Sequence, residues 1–160
     1  MLGSVDEWRQ EGRLYVWRYA KPSRTWDGWH LAADPIGCRS VGDLLHRFQG
    51  GGPRHRTLRL EPVTDAVLGV PNYRRKPAGS FAKLRIEFRP DDDEDFGLSM
   101  DGDRLVMTVG QNGIDELAHA FGEVARGGGD FGIASSGGRN AERWMFWWMP
   151  DVNYRLGKRS

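Results

Sequence analysis

The chain has 160 residues, with 23 Lys and Arg against 22 Asp and Glu, and 28% of it is charged. This length fits one domain that can fold without disulfides, and the balanced charge gives no general attraction to nucleic acid or to an anionic membrane. The longest apolar run, Trp144 to Met149, is far too short to span a bilayer. One cysteine, Cys38, excludes an internal disulfide, and the amino-terminal residues lack the apolar run of a signal peptide. We therefore expect one cytoplasmic domain over residues 1–160, ending in a polar tail at 151–160.

The first half of the chain predicts three strands and one helix. The strands are expected over 14–19, 26–32 and 56–61, because β-branched and aromatic residues or clean alternation mark these stretches. Ser40 is the predicted N-cap of a helix over 41–48, and Gly50 is expected to end that helix.

The second half repeats this succession of strands and a helix. Strands are predicted over 81–88, 96–100, 105–109, 131–133 and 143–149, with an Asp-Gly turn at Gly102 joining the second and third of them. Asn112 is the predicted cap of an amphipathic helix that reaches Arg126. We expect one shared core, and its predicted members are Leu105, Leu117, Phe121 and Trp147.

The two halves also resemble each other in sequence. The stretch 41–48 aligns with 114–121, so that leucine, histidine and phenylalanine coincide and His46 meets His119. Capped amphipathic helices resemble one another in general, so an internal repeat is one of two interpretations. The predicted fold class is α+β, with a mainly antiparallel sheet, two amphipathic helices on one side, and pseudo-repeat halves over 13–62 and 81–150.

Motifs that would indicate a cofactor or a metal fail on their context. The glycines of 127–132 match a dinucleotide fingerprint, but they follow a helix and precede a strand, which is the reverse of a phosphate site. The acidic loop over 91–95 resembles the start of a calcium-binding loop, but Phe96 stands where such a loop requires glycine and Gly102 where it requires glutamate. The four histidines show no ligand spacing, and Cys38 has no identifiable base, so we expect no cofactor, no metal and a packed thiol.

Two alternatives to protein binding remain open. A basic group made of Arg54, Arg56, Arg74, Arg75 and Lys76, with Tyr73 nearby, would suit single-stranded nucleic acid, although the balanced overall charge makes nucleic acid an unlikely partner. A pocket lined by Trp26, Trp29, His30 and arginine residues would indicate a small-ligand-binding protein or an enzyme.

The favoured interpretation is a small non-enzymatic protein-binding module, most concretely an inhibitor or immunity-type protein acting on a bacterial toxin or effector. It depends on chain length and on the lack of a catalytic set, so it is an analogy. The partner is expected to be a protein that is basic at the contact, because clustered carboxylates fit cationic pockets. The predicted contact residues are Asp91, Asp92, Asp93, Glu94, Asp95, Trp26, Trp29, Arg74 and Arg75.

Overall fold

The structure is a computed structural model, and it describes residues 4–19, 28–71, 81–91, 96–128, 131–134 and 143–149. The strands are β1 Leu14–Trp17, β2 Trp29–Ala33, β3 Arg54–Arg59, β4 Lys83–Phe88, β5 Phe96–Asp101, β6 Arg104–Val109, β7 Phe131–Ala134 and β8 Arg143–Trp147. The helices are α1 Pro35–Phe48, the short α2 Asp65–Gly69, and α3 Gln111–Ala125.

The described strands form two four-stranded sheets, which confirms the α+β class and its mainly antiparallel pairing. The order is β1-β2-β8-β7 in one sheet, called here the aromatic sheet, and β3-β4-β6-β5 in the other, called the charged sheet. In each sheet the central pair, β2 with β8 or β4 with β6, is parallel, and the outer pairs are antiparallel.

Each sheet combines one hairpin from each half of the chain. The hairpin β1–β2 precedes α1 and joins β7–β8, which follows α3, whereas β3–β4 follows α1 and joins β5–β6, which precedes α3. The succession hairpin, helix, hairpin therefore occurs twice, and the two halves exchange their second hairpins. In this arrangement β4 pairs with β3 and belongs with the elements of the first half.

The N-cap of the first long helix lies six residues before the predicted cap. Asp34 is the N-cap of α1, and its Oδ1 accepts from the backbone N–H of Gly37 at 2.7 Å. Proline at the first helical position suits this start, because Pro35 has no N–H to leave unpaired. Ser40 instead lies inside the helix and is buried, so its prediction as the cap is wrong.

The second long helix also begins before its predicted cap. Gly110 is the N-cap of α3 and makes no side-chain cap bond, whereas Asn112 lies within the first turn. The two observed caps are 76 residues apart in the chain, but the sequence match paired residues 73 apart. His46 and His119 therefore lie at different distances from their caps, and both are exposed on the helix surfaces.

The main core combines the inner faces of both sheets with α1 and α3, which pack against each other. Phe48 of α1 stacks on Phe88 of β4 with ring centres 5.7 Å apart, and Phe121 of α3 meets Phe146 of β8 edge to face at 5.3 Å. Leu105 and Leu117 are buried in the same cluster, as predicted.

A second, smaller core covers the outer face of the aromatic sheet. It contains Tyr15, Trp17, Tyr19, Ala32, Val67 of α2, Trp147 and Met149. Trp147 is buried here and does not join Phe121, so that part of the predicted core is wrong. The physical reason is alternation: Phe146 faces the main core, and the next side chain of the strand must face the other way.

Candidate partner-binding surface

Trp29 and His30 do not line a common pocket. Trp29 is 2% exposed and belongs to the main core, where its ring meets Phe81 edge to face and carries the Arg18 guanidinium 5.0 Å from its centre. His30 is 0% exposed and lies on the opposite face of β2. Neighbouring residues of a strand point to opposite faces, so the pair cannot converge on one ligand.

His30 is held within an aromatic cluster on the outer face of the aromatic sheet. Its ring is stacked near Trp17 and Trp147, with centres 5.7 and 6.2 Å away, and Tyr19 meets it edge to face at 4.9 Å. Trp147 Nε1 donates to His30 Nδ1 at 3.0 Å, which places the ring proton of a neutral imidazole on the other nitrogen. This geometry describes a packed core histidine.

The charged sheet presents an outer face that is open to solvent. Its inner side chains alternate with a set that points outward, and the inner ones, such as Leu84, Ile86 and Met107, are buried. The outward set is His55, Thr57, Arg59, Lys83, Arg85, Glu87, Gly97, Ser99, Asp101, Arg104, Val106 and Thr108. These side chains are exposed or half-buried, and they include four cations of Lys or Arg against two carboxylates.

The cations of this face fall into two groups. Glu87 is held between two arginines, since Arg85 Nε lies 2.7 Å from one carboxylate oxygen and Arg89 donates to the other at 2.6 Å. The hydrogen bond from Arg89, aided by the positive charges of both arginines, keeps the pKa of Glu87 below its usual value of 4.5 although burial raises it. These two arginines are thus already engaged with an anion.

The second group is a row of cations that crosses three strands. In the strand register Arg59 lies opposite Lys83, Lys83 lies opposite Arg104, and Arg104 lies opposite Asp101. We call the three cations the cation row, and a carboxylate stands at its end. Arg104 reaches Asp101 at 2.5 Å. Like charges directly opposite each other destabilise a sheet, and Lys83 has such a neighbour on both sides.

The acidic segment predicted to bind a partner begins at one end of this sheet. Asp91 lies just beyond β4 and is exposed. The rest of the segment, Asp92, Asp93, Glu94 and Asp95, lies outside the described residues, as do Trp26, Arg74 and Arg75. The predicted basic group is therefore visible only through Arg54 and Arg56, where the Arg56 guanidinium donates to the Trp8 carbonyl at 3.0 Å and lies 5.5 Å from the Trp8 ring centre.

The amino-terminal segment closes one edge of the charged sheet. The side-chain amide of Gln10 donates to the carbonyl of Arg59 at 2.9 Å and accepts from its N–H at 2.7 Å, as the backbone of an added strand would. Trp8 anchors the segment through a 2.8 Å bond from its indole N–H to the Ser40 carbonyl. Gly12 permits close approach to α1, because a Cβ there would lie 2.1 Å from the backbone nitrogen of Gly37.

An open groove of about 540 Å³ lies between this segment and α1. It is lined by Glu7, Arg9, Glu11, Ile36, Arg39, Ser40, Asp43 and Arg47. Its three carboxylates face three arginines, and the pair Asp43–Arg47 is already joined at 3.1 Å. This balance of charge favours neither an anionic nor a cationic ligand.

Cys38 is a packed thiol, as expected. Burial, and then the negative charge of Asp34, raise the pKa of Cys38 to about 12. Its sulfur lies 3.5 Å from the carbonyl oxygen of Ala33. The thiolate needed for nucleophilic attack is therefore scarce at neutral pH.

Sequence reasoning missed the cation row and the edge closure by Gln10, because both depend on strand pairing between distant parts of the chain. Within the described residues, no three His, Cys, Asp or Glu side chains group closely enough to hold a metal ion. None of the described helices has the length and apolar character needed to cross a membrane. No protein-family model, curated protein or solved structure matches the chain.

Proposed function

We propose that the protein is a small non-enzymatic protein-binding module, most concretely an inhibitor or immunity-type protein acting on a bacterial toxin or effector in the cytoplasm. The observation that carries the proposal is the open outer face of the charged sheet. The equivalent face of the aromatic sheet is covered by a core of its own. A broad, shallow surface of charged side chains suits another protein better than a small molecule, which prefers an enclosed cleft.

The contact includes the acidic segment 91–95, and the partner is basic where it meets this segment. Five consecutive carboxylates repel one another, and Asp91, the member of the segment that the structure describes, is exposed. A cationic patch on the partner would relieve that repulsion and would also attract the chain over a distance.

A site-specific photo-crosslinker tests which surface meets the partner. Ser99 is exposed on the outer face of the charged sheet, and Asn112 is an exposed control on α3. The crosslinker at position 99 should join the chain to one protein in a lysate of its native host, and the crosslinker at position 112 should not. Equal capture from both positions, or capture only from position 112, would contradict the proposal. If the protein is an inhibitor, the activity of the captured protein should fall in proportion to the fraction of it that is bound.

The acidic segment is tested by association kinetics with the captured partner. The variant Asp92→Asn/Asp93→Asn/Glu94→Gln should associate more slowly than the wild type, with a weaker dependence on ionic strength, because steering charges act mainly on the association rate. The matched variant Asp115→Asn/Glu116→Gln removes exposed carboxylates from α3 and should leave the rate unchanged. Identical rates and salt slopes for the first variant and the wild type would remove the segment from the contact.

A further inference from the structure

The cation row has two members with no anionic partner. Arg104 is paired with Asp101, but among the described residues neither the Lys83 ammonium nor the Arg59 guanidinium forms an ion pair or a side-chain hydrogen bond. Both side chains are exposed. The row therefore concentrates positive charge at the end of the face where Gln10 closes the sheet edge.

The surroundings of the row make it accessible to a large ligand. The next row on the same face contains Thr57, Arg85, Val106 and Ser99, and the arginine among them is occupied by Glu87. The remaining three side chains are small. Within the described part of the chain, these small side chains leave space beside the row for a rod-like ligand.

The spacing of the cations indicates the chemistry of the ligand. Adjacent strands lie about 4.8 Å apart, so the three cations follow one another at roughly 5 Å steps across the sheet. Residues three or four apart on a helix have Cβ atoms about 5–6 Å apart, which matches this step. No Trp, Tyr or Phe side chain lies on this face among the described residues, so it lacks the large aromatic platform on which single-stranded nucleic acid stacks.

We infer that the cation row, chiefly through Arg59 and Lys83, binds an acidic helix of the partner protein whose Glu or Asp side chains recur every three or four residues. The inference rests on the proposed protein-binding function and adds to the contact a second pairing of opposite charges. Under the proposed function the acidic segment, which starts with Asp91 at one end of the sheet, meets cations of the partner, and the cation row at the other end meets its carboxylates.

A titration followed by amide NMR shifts tests the inference without the natural partner. The probe is an alanine-based helical peptide with three glutamates at four-residue spacing, and the control peptide has glutamine at those positions. Shifts should concentrate on residues 57–59, 83–85 and 104–106 with the first peptide and be absent with the second. Lys83→Gln should weaken binding by roughly two- to fivefold, whereas Arg39→Gln, which removes an exposed cation of α1, should leave it unchanged.

Three outcomes would overturn the inference. They are shifts spread over every cationic surface, an equal loss of binding in Arg39→Gln, and tighter binding at the row by an oligothymidylate of matched charge, which would assign the site to nucleic acid. The proposed function fails separately. If the crosslinker at position 99 captures no single protein while the acidic peptide still binds the row, the proposed protein-binding function is wrong and the anion-binding site is retained.

Discussion

The two sheets are built in the same way, with a central parallel pair between two antiparallel pairs, yet their outer faces have opposite character. The outer face of the aromatic sheet is buried beneath α2 and neighbouring apolar residues, with Trp17 and Trp147 at its centre. The outer face of the charged sheet carries ion pairs and the cation row. Topology therefore does not decide which faces become core. Side-chain chemistry decides it, and a face that the described residues leave uncovered is available to another molecule.

The comparison can be made residue by residue. Ala33 and Val109 are the last strand residues before the two helix caps, so we align these two positions with each other. This alignment matches β2 with β6, and it matches their parallel neighbours β8 and β4. Trp147 then corresponds to Glu87. One position supports a second core, and its counterpart holds two arginines at the surface.

The largest expected effect comes from truncating these two counterparts. Trp147→Ala should reduce the free energy of unfolding by roughly 3–5 kcal/mol, because it leaves a cavity in the smaller core. Glu87→Ala should reduce it by less than about 1 kcal/mol, since ion pairs that water still reaches contribute little. Urea melts of both variants measure the difference. A loss below about 1 kcal/mol for Trp147→Ala would mean that the outer face of the aromatic sheet is not packed as described.

A smaller effect separates packing from hydrogen bonding in the aromatic cluster. Trp147→Phe keeps most of the apolar volume but removes the indole N–H that bonds His30 Nδ1 in a buried site. The expected cost is about 1–3 kcal/mol, since a buried acceptor loses its donor. In a double-mutant cycle, His30→Leu should make the second substitution less costly, because both polar groups are then gone. Strictly additive losses would show that this bond contributes nothing to stability.

Much of the fold could be predicted from local patterns, because the alternation of strands and the stripes of the helices are local properties. Strand β4 and the β5–β6 hairpin were predicted to within two residues of their observed bounds, and Gly102 takes the positive φ of 66° that its turn requires. The start of α1 was also encoded. Asp34 followed by Pro35 is itself a cap signature, whereas the predicted cap at Ser40 follows from the apolar stripe that begins at Val41.

The exchange of hairpins and the candidate site could not be predicted in this way. Trp29 pairs with Trp144, and Lys83 lies between Arg59 and Arg104, so both features arise from register between distant strands. Tryptophan content alone could not distinguish one aromatic core from two. The acidic segment 91–95 was readable as a charge run, and its role as a contact stays a prediction.

Reversing one charge in the cation row should stabilise the chain. Lys83→Glu places a carboxylate directly opposite Arg59 and Arg104, so two repulsive cross-strand pairs become attractive. The expected gain is about 0.2–1 kcal/mol for each pair. Arg39→Glu makes the same charge change on α1 and provides the control in the same urea melts. A loss of stability in Lys83→Glu would show that repulsion within the cation row does not destabilise the sheet.

The smallest expected effect is the pH dependence contributed by Glu87. Because Arg89 and Arg85 lower the pKa of this carboxyl in the folded chain, the unfolded chain binds more protons between the folded value and about 4.5. Stability therefore rises with pH across that interval, and the contribution is present above pH 4.5 and lost as pH falls through the folded pKa.

Glu87→Gln cannot ionise. The free energy of unfolding of the wild type should exceed that of this variant by less than about 1 kcal/mol at pH 7. This difference should shrink as the pH is lowered from about 5 to 3. Repeating the melts in 1 M NaCl should reduce the difference at neutral pH, since salt screens partly exposed charges. A difference that grows on acidification would mean that burial outweighs the two arginines at this position, and that the outer face of the charged sheet is less open than the side-chain exposures indicate.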